Sequence, residues 1–316
     1  MPKQVALILL NWNTPDYTAA CIQSLKQYCD EQLFDIIVAD NGSTDDSLAT
    51  LQTRFPGVKF IDNGGNLGFA EGNNRALTYS IDNGYTYSLL INTDTIVDED
   101  IVTALSLHLN SHPNAAAVQP AIYWMHDRSK IWNGEGNFNA VTGVVRSDTN
   151  TPGANAITSF KKAKWVTGCC VLLRNSALKK SGLLNKQFFL YFEDVELSYR
   201  LAANGYELHY LPSVKIYHEA GVSAKVSAPK KEGHLNPVIH YYVSRNHIWF
   251  LRKYGSAAFL PVNALRNALY YGALYVYFKL RGRNQKASNL IRGLKDGLLT
   301  PKNLIWPTDI DNINNR

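Results

Sequence analysis

The sequence has no charge-free apolar run of the 18 or so residues that a membrane-spanning helix requires. Residues 1–4 lead straight into the apolar run 5–10, without the pattern of a secretory leader. A cytoplasmic chain is therefore expected, at most peripheral on the inner face of the cytoplasmic membrane. Cysteine is scarce, with four in 316 residues. Cys21 and Cys29 would lie about 12 Å apart along one helix, and Cys169 and Cys170 are adjacent. Free thiols are expected, with no disulfide framework and no zinc site. Glycine is missing from the first strand-to-helix turn, Asn11-Trp12-Asn13-Thr14-Pro15. A dinucleotide-binding Rossmann unit needs G-x-G-x-x-G there, so that backbone can approach a pyrophosphate. A sugar nucleotidylyltransferase would need a glycine- and arginine-rich phosphate loop at the same place, and that is missing too.

Acidic and basic residues are unevenly shared. Residues 1–214 hold 16 Lys and Arg against 21 Asp and Glu, while residues 215–316 hold 16 against 5. The two segments face different partners, and the basic third suits an anionic surface or solvent. No nucleic-acid module is visible, so no nucleic-acid partner is expected.

Apolar runs at 5–10, 34–39, 58–61, 89–91, 115–119, 164–174 and 206–211 read as strands of a mostly parallel sheet, with helical periodicity between them, and residues 212–217 bring His218 to a strand end. Thr14 and Pro15 mark the start of a first helix whose inner face is expected at Tyr17, Ala20, Cys21, Ser24, Leu25 and Tyr28. Ser43 or Thr44 is expected to cap a second. Residues 63–74 read as a glycine- and asparagine-rich loop before a helix through 77–81, and residues 122–159 as irregular strands and loops over a cleft. Acids recur at strand ends: Asp40 after the second strand, Asp94 in Asn92-Thr93-Asp94 after the fourth. Ligands of open α/β sheets bind outside those ends, where a carboxylate suits a hard cation holding phosphates. Glu193 and Asp194 open a helix behind the aromatic run 188–192, and His218 closes the last strand. Taken singly, these also read as turn caps, first-turn acids and a structural histidine.

Seven segments occur in order: L-L-N-W-N, V-A-D-N-G-S-T-D-D-S, N-L-G-F-A-E-G-N-N, L-L-I-N-T-D, W-V-T-G, F-E-D-V-E-L-S-Y-R and I-Y-H-E-A-G-V-S. As a set they resemble the family 2 glycosyltransferases, inverting nucleotide-sugar-dependent enzymes of GT-A fold, and within them the bacterial rhamnosyltransferase-like branch. The resemblance implies a GT-A catalytic domain over 1–223 and a basic, aromatic-rich helical extension over 224–316. It implies donor contacts from Asn11, Asn13, Asp40, Asn66, Gly68, Asn74, Asn92 and Asp94, with a divalent cation, Mg²⁺ or Mn²⁺, at Asp94 and His218. Asn92 replaces the first acid of the family's D-x-D motif, leaving Asp94 as the main charged ligand. Asp194 matches the catalytic base, with Glu193 orienting it or holding the acceptor, and Trp165 and Gly168 are candidates for the acceptor floor.

The implied activity is transfer of a sugar, for instance L-rhamnose from dTDP-L-rhamnose, to a saccharide or lipid-linked saccharide in cell-surface polysaccharide synthesis. The rival of a different class is a silent nucleotide-sugar or lipid binding module; retention of Asp40, Asp94 and Asp194 together speaks against it. Residues 254–283, rich in Tyr, Phe and Leu with interspersed Arg and Lys, read either as a helical cap on the core or as an interfacial helix on an anionic membrane.

Overall fold

The computed structural model describes residues 3–150, 159–221, 232–233 and 235–306. The expected domain boundary at 223, the end of the last motif and residues 151–158 of the irregular region lie outside them. Strands β1 (Val5–Asn11), β2 (Phe34–Asp40), β3 (Lys59–Asp62) and β4 (Tyr87–Ile91) run parallel. Helices α1 (Pro15–Tyr28), α2 (Ser47–Arg54) and α3 (Gly68–Asp82) connect them. A two-residue strand β5 (Thr95–Ile96), helix α4 (Ile101–Ser111) and strand β6 (Ala115–Trp124) follow. Next come β7 (Ile131–Asn133), the hairpin β8 (Gly136–Asn139) and β9 (Val144–Ser147), β10 (Lys161–Lys162) and β11 (Cys170–Arg174). After α5 (Asn175–Ser181) and α6 (Glu193–Ala203) comes β12 (Glu207–His218).

The main sheet has the order β10-β12-β6-β11-β4-β1-β2-β3. β11 is antiparallel to both β4 and β6, and β12 is parallel to β6. Hence β1–β4, β6 and β12 all point one way, and their carboxyl ends share one edge with the amino end of β11. Alternate residues of β1 feed two cores: Val5, Leu7 and Leu9 pack with α1, α2 and α4, while Ala6 and Ile8 pack with α3, α5 and α6. The result is three layers, helix on sheet on helix.

Local outcomes differ from the sequence reading in three places. Tyr17 and Tyr28 are exposed, and the buried face of α1 is Thr18, Ala19, Cys21, Ile22, Ser24 and Leu25. Ser43 does not cap α2, whose N-cap is Asp46; its hydroxyl and amide are spent on Asp40. The supposed loop through Asn74 is helical from Gly68 onward, because the Phe69 amide donates to the Phe189 carbonyl at 2.6 Å and caps the first turn from outside. Gly72 lets that helix lie against Asn41 and Leu10, which a Cβ would meet at 2.8 and 2.9 Å. All four cysteines are buried free thiols, and burial pushes Cys21 up to about 12.

The C-terminal helices are α7 (Val238–Tyr254), α8 (Leu260–Leu280), α9 (Asn284–Leu299) and the short α10 (Lys302–Ile305). α7 docks onto the sheet domain: Phe250 packs with Trp165 and Val195, and Trp249 with Phe188 and Ile305. Among the described residues no helix is long and apolar enough to cross a membrane.

Candidate active site

The carboxyl edge of the sheet gathers the polar groups that the strands cannot pair internally. At the end of β1, buried Asn11 donates to Asp40 Oδ2 at 2.8 Å and to Ser43 Oγ at 3.1 Å, and its own oxygen accepts from Thr18 at 2.7 Å. Asp40, at the end of β2, also accepts from the Ser43 amide at 2.9 Å and its hydroxyl at 2.7 Å. Asn13, with φ 53°, turns back so that its side chain accepts from the Thr44 amide at 2.8 Å. The register pairing Asn11 with Asp40 makes this cluster.

The next loop lies across it. Asn41 donates to Asn66 Oδ1 and to the Gly68 carbonyl, both at 3.2 Å, and Asn66 Oδ1 accepts from the Gly68 amide at 2.9 Å. Gly68 has φ 75°, and a Cβ there would stand 2.5 Å from the Phe189 carbonyl oxygen. Asn74 lies deeper in α3. Its amide donates to the Leu184 carbonyl at 2.8 Å and to Glu71 Oε2 at 3.2 Å, and its oxygen accepts from the Leu184 amide at 3.0 Å, so it ties α3 to the chain leading into α6 and has no free amide for a donor.

After β4 the Asn92 amide donates to the Cys169 carbonyl at 2.8 Å. β5 then pairs with the end of β12, Thr95 opposite His218, and this brings His218 Nε2 to 3.0 Å from Asp94 Oδ1. Trp132 stands edge-on to His218 with ring centroids 4.3 Å apart. His218 Nδ1 is buried with no hydrogen-bond partner. Asp94 Oδ1 and His218 Nε2, 3.0 Å apart, are a mixed O and N donor pair of the kind that holds a divalent cation, so the residues fit the metal expected from the sequence.

Asp194 reaches the same edge from the opposite layer. Its Oδ2 accepts from the Gly168 amide at 3.0 Å and its Oδ1 from the Val195 amide at 2.8 Å. Gly168 immediately precedes the Cys169-Cys170 entry to β11, so these bonds place the first turn of α6 at the carboxyl edge. A Cβ on Gly168 would meet the Phe69 ring at 2.9 Å. Burial raises the Asp194 carboxyl above its ordinary value, although the two amides pull it down. Glu193 is buried, its Oε2 has no partner, and burial followed by repulsion from Asp194 holds it well above the usual carboxylate range. Trp165 is only 7% exposed, its indole NH donates to the Asn137 carbonyl at 3.2 Å, and its ring packs with Val195 and Phe250. It backs the wall from within and offers little surface to a sugar, contrary to the expectation of an acceptor floor.

The strongest contributors to which the sequence assigned no role come from α7, in the segment 240–246 that is similar to one following the catalytic domain in relatives. Phe189, Tyr191 and Phe192 all have positive φ, between 64° and 70°, a backbone state costing on the order of 1–3 kcal/mol each in a non-glycine residue. Asn246, fully buried, donates to the carbonyls of Phe188, Leu190 and Tyr191 at 2.9, 2.9 and 2.7 Å. Arg245 donates to those of Gln187 and Phe188 at 3.0 and 2.9 Å, and to Asn246 Oδ1 at 2.8 Å. The pair holds the bent run that delivers Glu193 and Asp194. Its only trace in the sequence is Arg-Asn within an aromatic segment, without a local partner.

Comparison with known proteins bears on the family and the fold. The sequence model of "Glycosyl transferase family 2" matches residues 7–182. The chain is 25% identical over 245 residues to the N-acetylglucosaminyl-diphospho-decaprenol L-rhamnosyltransferase of Mycobacterium tuberculosis, covering 70% of this chain and 78% of that protein. It is 27% identical over 228 residues to the rhamnosyltransferase WbbL of Escherichia coli K12, covering 68% and 83%. Its fold is similar to that of the mannosyltransferase PcManGT from Pyrobaculum calidifontis, solved with GDP-Man and Mn²⁺, with a TM-score of 0.56 at 14% identity over 94% of this chain and 87% of that one. The chain belongs to glycosyl transferase family 2: it is a nucleotide-sugar-dependent glycosyltransferase of GT-A fold, similar to the family's rhamnosyltransferases.

Proposed function

We propose that this enzyme transfers L-rhamnose from dTDP-L-rhamnose, with inversion, to a hydroxyl of a saccharide or lipid-linked saccharide acceptor in polysaccharide synthesis. The rhamnosyltransferases it resembles support the sugar, and the decaprenol-linked substrate in the name of one of them supports the acceptor class. The observation that carries the reading is the meeting of three carboxylates from separate segments, Asp40, Asp94 and Asp194, at the sheet edge where α/β folds bind nucleotides.

In this reading Asn11 and Asp40 hold the nucleoside, with Asn13 and Ser43 fixing their orientation. Asp94 and His218 would hold the divalent cation, which when bound would supply positive charge against that building on the leaving diphosphate. Asp194 accepts the acceptor's hydroxyl proton as its oxygen bonds to the anomeric carbon, while the bond from that carbon to the diphosphate breaks and the diphosphate leaves with the electron pair. Both carboxylate oxygens of Asp194 are already pinned by amides, so the base is oriented before the acceptor arrives, and its raised affinity for protons strengthens it.

The test is calorimetric titration with dTDP-, UDP- and GDP-sugars in Mg²⁺ or Mn²⁺ and again in EDTA, on the native chain and on Asp94→Ala. Binding of dTDP-rhamnose that needs the cation and is lost in Asp94→Ala supports the reading. Binding of another nucleotide series reassigns the donor, and a folded protein that binds none is a silent module.

α8 bears on the acceptor. Its inward stripe is mixed: Asn263 donates to the Ala140 and Val141 carbonyls at the β8–β9 turn, the Tyr271 hydroxyl lies 2.8 Å from His247 Nδ1, and Tyr271 and Phe278 pack with Ala287 and Leu290 of α9. Its outward stripe is apolar, with Leu265, Leu269 and Leu280 exposed by 64, 66 and 82%. An apolar outer face ending in Lys279, Arg281 and Arg283 supports seating on an anionic lipid surface. That would bring a lipid-linked acceptor to the cleft.

A further inference from the structure

A second concentration of ligating side chains lies at the opposite edge of the sheet. His108 and His112 stand one turn apart at the end of α4, and His209 sits near the start of β12, nine residues before His218, or roughly 25–30 Å along the strand. One ring nitrogen from each lies within 4.8 Å of the others. Hydrogen bonds sort the nitrogens. His209 Nε2 is 3.0 Å from Glu207 Oε2, and His112 Nδ1 is 2.8 Å from the His108 carbonyl. Both partners only accept, so those two nitrogens carry the protons and His209 Nδ1 and His112 Nε2 present lone pairs. His108 Nε2 lies 2.8 Å from His209 Nδ1. Phe160 covers the group, stacked on His209 at 4.2 Å and edge-on to His112 at 4.6 Å.

We propose that His108, His112 and His209 form a zinc site distinct from the catalytic edge, with water in the fourth position. Three imidazoles suit zinc, whereas carboxylate sites such as Asp94 suit magnesium or manganese. Glu207 behind His209 and the His108 carbonyl behind His112 supply the outer hydrogen bonds that orient zinc-binding histidines. Zinc–nitrogen bonds of about 2.0–2.1 Å set tetrahedral ligands roughly 3.4 Å apart, so the bond between His108 and His209 opens by about half an ångström and His108, stacked on His112 with centroids 4.3 Å apart, turns out of that stack to bring its nitrogen to the ion. The His108 proton moves through solvent from Nε2 to Nδ1 as that bond is replaced. Counting cysteines misses such a site because all its ligands are nitrogen. The ion would join the end of α4 to β12 beside the edge strand β10.

The test uses the full chain without a histidine tag, stripped with EDTA and titrated with Zn²⁺ by calorimetry and with Co²⁺ by visible absorption. One Zn²⁺ per chain is expected, with a tetrahedral Co²⁺ spectrum and a raised Tm. Binding should persist in Asp94→Ala, weaken about 10–100-fold in Glu207→Gln, and vanish in His112→Gln shown to be folded by circular dichroism. Absence of Zn²⁺ binding would overturn the proposal, as would binding that survives His112→Gln and disappears in Asp94→Ala. The three rings would then be a neutral packing cluster beneath Phe160.

Discussion

Asp194 and Glu193 are neighbours with opposite assignments. Asp194 spends both oxygens on amides and keeps lone pairs for an incoming hydroxyl, while Glu193 Oε2 is buried without a partner. Asp194→Asn should lower turnover by about 10²–10⁴-fold and leave donor affinity nearly unchanged, a split that calorimetry and single-turnover assays read directly. Near-normal turnover would remove Asp194 from the role of base. Because burial raises Asp194, the acid limb of kcat/KM should lie above the ordinary carboxylate range. Glu193 affects stability. Its folded pKa lies well above the unfolded value, so the folded state binds the proton more tightly. The stability this contributes is full at pH below the unfolded carboxylate value and is lost as pH rises through the folded one. Glu193→Gln should therefore melt a few degrees above the native chain at neutral pH, with the gap closing toward acid, as melting curves across a pH series would reveal. Residues at this scale were legible where the chemistry is local, as acids at strand and helix ends are. Asn74 was misread because an amide at the right spacing looks the same whether it meets a ligand or the Leu184 backbone.

At the scale of elements, α6 is held at both ends by groups from elsewhere. Its start depends on Arg245 and Asn246 of α7, which stabilise three unfavourable φ angles. Its body carries the buried pair Arg200–Glu196 at 2.8 Å, with Arg200 also donating to the Ser181 and Leu183 carbonyls. Burial alone would raise Glu196, but Arg200 pulls it below its ordinary value. The E-L-S-Y-R half of that motif therefore fixes the helix, while its E-D half carries the candidate chemistry. Asn246→Ala should cut kcat by about 10²-fold, the scale expected when a reacting group moves by an ångström, with the donor's dissociation constant unchanged. An equal rise in the donor's dissociation constant would mean that α7 acts on nucleotide binding instead. Helix α6 could be placed from its periodicity and its glycine stop. The start of α3 could not, because the carbonyl that caps it belongs to Phe189, more than a hundred residues away.

For the whole molecule, the main question is what covers α8. Its inward stripe already packs Tyr271 and Phe278 on α9, and its outward stripe is apolar as well, which a helix that merely caps a core does not need. Sedimentation with vesicles should show binding to anionic bilayers that falls in high salt and in Leu265→Asp/Leu269→Asp, and no binding to neutral ones. A stable dimer of the native chain that the same substitutions dissolve would assign the face to a second copy. By itself the sequence determined the alternation of strands and helices, the acids at strand ends, the family and the uneven charge, because each is set by periodicity or by residues close in the chain. Only the tertiary structure decided that β11 runs antiparallel between β4 and β6, so that Gly168 meets Asp194 at the edge where β1, β2 and β4 end. It also decided that two residues of β5 pair with β12 and bring Asp94 to His218 across 124 positions. Contacts of that range depend on register and on which faces find each other, and neither is encoded in any single stretch of the chain.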